Sequence, residues 1–276
     1  MSEMGTGSPP GERLLLTGAS GGIGTLLRPM LARPGCCLRL LDVMPPADVA
    51  EAGAEEVVVG SLADPVALLD ACRGVDAVIH LAGLSREAPL DDILESNVRG
   101  SMNLLEAVTT AGVPRVVLAS SSHAVGFHPH EGQPVAAGAP PRPDTLYGWS
   151  KAVLEAAGRL YQERFGLDVI CLRLGSWFPT PLHLGLRGLS TWLSPADGHR
   201  LVEAALSCES PGFRIVWGVS RNTRRWMSLA EGEEIGYHPL DDAEEFAPAV
   251  EADGHGQDET LAPPRLGGTW CVLPLG

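Results

Sequence analysis

The stretch LLLTGASGGIGTLL, residues 14–27, restricts the possible folds more than any other part of the chain. An apolar run leads directly into Gly18, Gly21 and Gly24, spaced GxxGxxG, and then into residues of helical period. Glycine turns the backbone where other residues cannot, and a bare backbone lets a diphosphate approach the first N–H groups of a helix. A strand, a glycine turn and a helix in this order open a dinucleotide-binding unit, whose phosphate loop also takes in Gly22 and Ile23.

Further apolar runs over 37–42, 55–60, 76–83, 115–121 and 168–175 read as strands, with helical spacing between them. Strands separated by helices require crossover connections, hence a parallel sheet covered on both faces. The expected fold class is α/β, a doubly wound (Rossmann) parallel sheet. Residues 1–11 are small and polar and read as a disordered tail, with the NAD-binding domain over 12–175. Beyond 175 come a Pro/Leu/Gly-rich loop, a helix near 195–208, a strand over 214–219 and an acidic tract. Residues 176–276 are expected as a smaller substrate-binding region above the strand ends.

Asp42 ends the second run, placed to accept hydrogen bonds from the adenosine ribose and to repel a 2′-phosphate. The residues after it, VMPPAD, hold no Arg or Lys, so NAD is favoured over NADP. A net charge of −14 argues against nucleic acid or an anionic membrane as partner, and no apolar run approaches membrane-spanning length. Six cysteines without any CxxC spacing make a metal site or disulfide framework improbable and fit a cytoplasmic location.

In LYGWSK, residues 146–151, Tyr147 and Lys151 stand four positions apart, on one face if helical. A phenol titrates near pH 10, too high for a base at neutrality. A cation beside it, together with an oxidised nicotinamide, would favour the phenolate. Ser120, Ser121 and Ser122, at the end of the fifth run, offer hydroxyls to a substrate oxygen.

TGASGGIG, HLAG, NVRG, the SSS segment and YGWSK occur in an order that resembles the extended short-chain dehydrogenase/reductase superfamily. The resemblance implies Ser121, Tyr147 and Lys151 as the catalytic residues and Leu81, Ala82 and Gly83 at the cofactor. It places Asn97, the helix asparagine that helps hold the site, among the cofactor-binding residues together with Tyr147 and Lys151. GSLAD departs from the family by putting Ser61 where an adenine-side Asp precedes Leu62.

LAGLSREAPLDDILESNVRG, ASSSHAVGFHP, RPDTLYGWSK, RLGS, RGLSTWLSPAD, RIVWGVS and RLGGTW narrow the resemblance to bacterial uronate dehydrogenases. The implied activity is oxidation of the anomeric carbon of D-glucuronate or D-galacturonate to an aldarolactone with NAD, by a homo-oligomer. Ser85, Ser122, His123 and Ser176 would contact the sugar, and Arg187 its carboxylate; Ser122 departs from an Asn in the family. Trp192 and Trp217 read as packing, and the acids over 241–245 as a solvated face. The competing readings are a sugar-nucleotide epimerase or dehydratase and a non-catalytic NAD-sensing regulator.

Overall fold

Residues 12–47, 49, 54–130, 133–253 and 264–276 are described in the computed structural model, and the expected tail over 1–11 lies outside them. The six apolar runs form β1 (Glu12–Thr17), β2 (Cys36–Asp42), β3 (Glu55–Val59), β4 (Ala77–His80), β5 (Arg115–Ser121) and β6 (Asp168–Leu174). Between them lie α1 (Gly22–Leu31), α2 (Pro65–Cys72), α3 (Leu90–Ile93), α4 (Gly100–Thr110) and α5 (Leu146–Phe165). After β6 come β7 (Ser176–Trp177), α6 (Gly185–Thr191), β8 (Trp192–Leu193), α7 (Pro195–Ser207) and β9 (Phe213–Gly218). Short helices α8 (Ala230–Glu233) and α9 (Ala247–Asp253) follow.

The main sheet runs β3-β2-β1-β4-β5-β6-β9, every neighbouring pair parallel. Successive strand residues enter opposite cores. Leu14 and Leu16 pack with Leu27 and Leu31 of α1 and Leu201 and Val202 of α7. Leu15 packs with Leu68 of α2, Leu104 of α4 and Leu154 of α5. Burial on both faces is why these strands lack polar alternation. Strand order reverses between β1 and β4, which opens a crevice above their C-terminal ends.

The sequence boundary at residue 175 is not a seam in the fold. β9 pairs with β6 over Phe213–Gly218, and α7 covers the face shared with α1, so the C-terminal region supplies the sheet's edge strand and part of its core. An apolar edge strand finds its partner in the exposed ladder of β6. The stretch read as a loop over 176–190 also holds α6, in which Gly188 lets Pro181 and Leu184 approach. The acids read as solvated are backbone anchors in part, since Asp242 accepts from Thr223 and Glu244 N–H groups at 2.9 Å each.

Two buried polar contacts position the strands and helices near the crevice. His80 is held between the hydroxyls of Thr17 (2.8 Å) and Ser101 (3.0 Å), tying β4 to β1 and α4. Burial, and then the charge of Lys151, push its pKa down to about 3, so it stays neutral. Glu155 of α5 and Arg173 of β6 form a two-pronged ion pair at 2.8 and 2.7 Å. Ser120 donates to the same carboxylate (2.6 Å), and Arg173 also donates to the carbonyls of Ala137 and Ala139. Ser120 therefore faces away from the crevice. Among the described residues no helix is long and apolar enough to cross a membrane, and no cluster could hold a metal ion.

Arg173→Met would leave the Glu155 carboxylate buried without its cation. Urea unfolding should show a loss of about 3–5 kcal/mol relative to wild type. A loss below about 1 kcal/mol would mean that α5 does not depend on this pair.

Candidate active site

The crevice between β1 and β4 is a cleft of about 870 Å³ lined by Gly18, Gly21, Gly22, Ile23, Gly24, Asp42, Ser61, Leu62, Leu81, Ala82, Gly83 and Ser85, among others. Gly18 has φ +73°, and a Cβ there would lie 2.7 Å from the Ala82 nitrogen. A Cβ on Gly24 would collide with the Gly18 carbonyl, whereas at Gly22 it would meet nothing within 4 Å. The first two glycines named close the turn tightly, and the third leaves its face open. No side chain caps the N-terminus of α1, a ten-residue helix. Asp42 accepts from the backbone N–H groups of Ser20 (2.9 Å) and Val43 (2.7 Å), which aim its carboxylate at the cleft. An uncapped helix end, a bare glycine surface and a strand-end carboxylate fit a dinucleotide.

Ser61 accepts from Ala63 N–H at 3.1 Å and lines the cleft, as does Leu62. Asn97, expected at the cofactor, stands outside the cleft lining. It lies in a π-helical turn, Leu94–Arg99, that interrupts the single helix expected over this stretch. Its amide accepts from Leu84 N–H (2.7 Å) and donates to Leu84 carbonyl and Ser150 hydroxyl. It thus ties the loop after β4 to α5, one residue from Lys151. π-turns of this kind recur at functional sites because they re-aim one residue of a helix.

Ser121 ends β5, and Tyr147 and Lys151 lie on the first two turns of α5, all three buried. Ser121 lies close enough to the Tyr147 hydroxyl to ease its ionisation. Lys151 Nζ stands 5.6 Å from the Tyr147 ring centroid and donates to the Ala119 carbonyl at 2.8 Å. In the protein alone the phenol moves opposite to the sequence expectation. Burial raises its pKa to about 12, partly offset by Ser121 and reinforced by Asp144. The ammonium that was to favour phenolate is itself pushed down to about 8 by desolvation. Burial is the largest cause of both shifts.

His123 follows Ser121 on a 3₁₀ turn, Ser122–Val125, with Ser122 buried beside it. The His123 ring meets Tyr147 edge-on at 6.0 Å and stacks on Trp270 at 4.0 Å. Ser176 shares a 2.9 Å hydrogen bond with Thr191, which donates to the Arg187 carbonyl. Arg187 Nη2 donates to the Leu266 carbonyl, and its guanidinium lies 5.2 Å from the Trp226 ring centre. Gly268 leaves room for this guanidinium, two residues before Trp270.

Sequence reasoning missed three residues. Glu87 accepts from the N–H groups of Leu146 and Tyr147 and of Gly276, joining the loop after β4 to α5 and the C-terminal segment. Asp144 accepts from His123 Nδ1 at 2.7 Å. Trp270 packs with Tyr147 and Leu146. Asp144 had a local signal, since it lies three residues before the tyrosine, but nothing local pairs it with His123.

The model of the NAD dependent epimerase/dehydratase family matches residues 14–182. A uronate dehydrogenase of Pseudomonas putida is 41% identical, over 88% of this chain and 89% of its own length. A uronate dehydrogenase of Pseudomonas syringae pv. tomato is 38% identical, over 100% of this chain and 99% of its own. Among solved structures, a mutant uronate dehydrogenase of Agrobacterium tumefaciens complexed with NAD superposes with a TM-score of 0.88 at 37% identity, covering 95% of this chain and 98% of that one.

The depressed Lys151 has a consequence for stability. Between its folded value of about 8 and its ordinary value of 10.5, the unfolded chain holds a proton that the folded chain has released. Stability contributed by this group therefore rises with pH across that window. Tyr147 acts in the opposite sense only higher, between 10.0 and about 12. Lys151→Met removes the first effect. The wild-type melting temperature minus that of the variant should climb from about pH 8 to about pH 10, and a flat difference would mean that burial does not shift Lys151.

Proposed function

The chain belongs to the NAD dependent epimerase/dehydratase family, and on that premise we propose that it oxidises the anomeric carbon of hexuronates to aldarolactones with NAD. D-glucuronate and D-galacturonate are the substrates this reading names. The observation that carries it is the buried trio at the end of β5 and the start of α5, with Ser121 near the Tyr147 hydroxyl and Lys151 Nζ 5.6 Å from the Tyr147 ring centre. A proton acceptor, a hydroxyl to orient the substrate oxygen and a cation are what dehydrogenation of an alcohol requires. The retained trio weighs against a non-catalytic NAD sensor. Likeness to uronate dehydrogenases over nearly the whole chain weighs against a sugar-nucleotide epimerase.

Gly18, Gly21, Gly22 and Gly24, with the start of α1, would hold the diphosphate, and Asp42 the adenosine ribose. When bound, NAD supplies the hydride acceptor and, at its oxidised ring, a positive charge. Ser121 hydrogen-bonds the anomeric oxygen and Tyr147 takes its proton, while hydride leaves the same carbon and the ring C–OH becomes a lactone carbonyl. Lys151 lowers the cost of negative charge on Tyr147 from 5.6 Å away. The sugar would lie among Ser85, Ser122, His123 and Ser176, with Arg187 reading its carboxylate through a planar fork of donors. The same reading has the enzyme working as a homo-oligomer in the cytoplasm, in keeping with six free cysteines.

Incubation with NAD and glucuronate or galacturonate should give NADH absorbance, and glucose should give far less. Comparable rates on glucose and glucuronate would sink the uronate assignment. Tyr147→Phe should lower turnover by about two to four powers of ten with NAD binding nearly intact. Arg187→Ala should raise the KM for the uronate by an amount worth about 2–5 kcal/mol, and Arg187→Lys should recover only part of it. An unchanged KM in Arg187→Ala would remove this residue from the carboxylate site.

A further inference from the structure

Asp144 lies in the loop before α5, and its side chain is fully buried, at 0% exposure. Three glycines from separate segments make room for it. A Cβ on Gly126, after β5, or on Gly267, near the C-terminus, would collide with its Oδ2. One on Gly148, in α5, would stand 2.9 Å from Oδ1. Oδ1 accepts from the Thr145 hydroxyl at 3.1 Å, and Oδ2 accepts from His123 Nδ1 at 2.7 Å. Burying a carboxylate is costly unless its oxygens are satisfied, so a cavity built from three segments around this one points to a role beyond packing.

We propose that Asp144 is a positioning residue that holds His123 as the tautomer with its proton on Nδ1, leaving Nε2 to accept a hydrogen bond from a sugar hydroxyl. This rests on the hexuronate reading above. A carboxylate has no proton to give, so the nitrogen facing it must donate, and the opposite nitrogen of a neutral ring then has only a lone pair. The plane of the ring is set independently. Trp270 stacks on it with 23° between the rings, Tyr147 meets it at 62°, and Ser121 Oγ accepts from the His123 backbone N–H at 3.2 Å. Nε2 lies on the ring edge away from Asp144 and makes no hydrogen bond to a described residue. An acceptor fixed beside the Tyr147–Ser121 pair reads a hydroxyl donor and leaves the carboxylate to other residues. It divides recognition of the sugar by hydrogen-bond sense.

The tautomer can be read without substrate, by nitrogen NMR of protein labelled with ¹⁵N-histidine, with His123→Gln identifying the signals. Wild type should show a protonated Nδ1 and a bare Nε2 at His123. In Asp144→Asn the amide can donate to Nδ1, and the proton should move to Nε2. That variant should lose about 10–100-fold in kcat/KM for the uronate, mostly through KM, as partners that orient a functional histidine do. Its dissociation constant for NAD should stay within about twofold of wild type, since Asp144 lies outside the cofactor cleft. Adding His123→Gln to Asp144→Asn should cause little further loss, because both act through one ring. A wild-type proton on Nε2, or double-variant losses that multiply, would overturn the proposal. Should Asp144→Asn not fold, the wild-type spectrum decides the matter alone. A proton on Nδ1 in a protein that makes no NADH from any hexuronate would support the tautomer and overturn the substrate reading instead.

Discussion

Glu155 and Arg173 meet in the interior between α5 and β6, where neither charge could stand alone. Their two-pronged contact sets the rotation of α5 about its axis, because Glu155 lies four residues beyond Lys151 and eight beyond Tyr147, on the same face. Ser120 donates to the same carboxylate, which turns it inward and, by strand alternation, sends Ser121 to the opposite side. Ser121 is the last residue of β5 and stands at the strand end near Tyr147. Through Ala137 and Ala139, Arg173 also anchors the long connection between β5 and α5.

With α5 placed, desolvation governs the site. The phenol and the ammonium both shift toward their neutral forms, one to about 12 and the other to about 8. Two groups read from the sequence as a charged couple are, in the protein alone, a couple that burial discourages from charging. Loss of hydration disfavours the charged form of each group, and it is the largest cause of both shifts. His80 obeys the same rule at closer quarters, neutral between two hydroxyls, so it adds no positive charge near Lys151.

Much of this was legible in the sequence where the cause is local. Continuous apolar strands, glycines between a strand and a helix, and Tyr147–Lys151 at helical spacing each carry their meaning within a few residues. All of the glycine-loop residues and Asp42 do line one cleft. What was not legible depends on distant partners. The edge strand β9 belongs to the sheet because β6 has an open ladder, which no property of residues 213–218 announces. α6 forms among prolines and glycines because Gly188 admits Pro181 and Leu184. Asn97 fits an asparagine near the cofactor by pattern, but the π-turn that carries it points its amide at Leu84 and Ser150.

That difference separates the two halves of the site. The cofactor half is assembled from the ends of adjacent strands, each contributing its own short loop, so any chain with this sheet can build it. The residues proposed to contact the sugar lie on separate segments, Ser85 after β4, Ser122 and His123 after β5 and Ser176 after β6, and a C-terminal segment returns over His123. Gly267 N–H donates to the Gly126 carbonyl at 2.8 Å and Leu266 N–H to the His128 carbonyl at 2.9 Å, which seats Trp270 on His123. At the far end Glu87 binds the backbone of both Gly276 and Tyr147. Glu87 and Trp270 thus connect the C-terminal segment to Tyr147 and His123. The loop after β4 belongs to both sides, because Ser85 and Glu87 line the cleft while Glu87 also holds the start of α5 and the C-terminal segment.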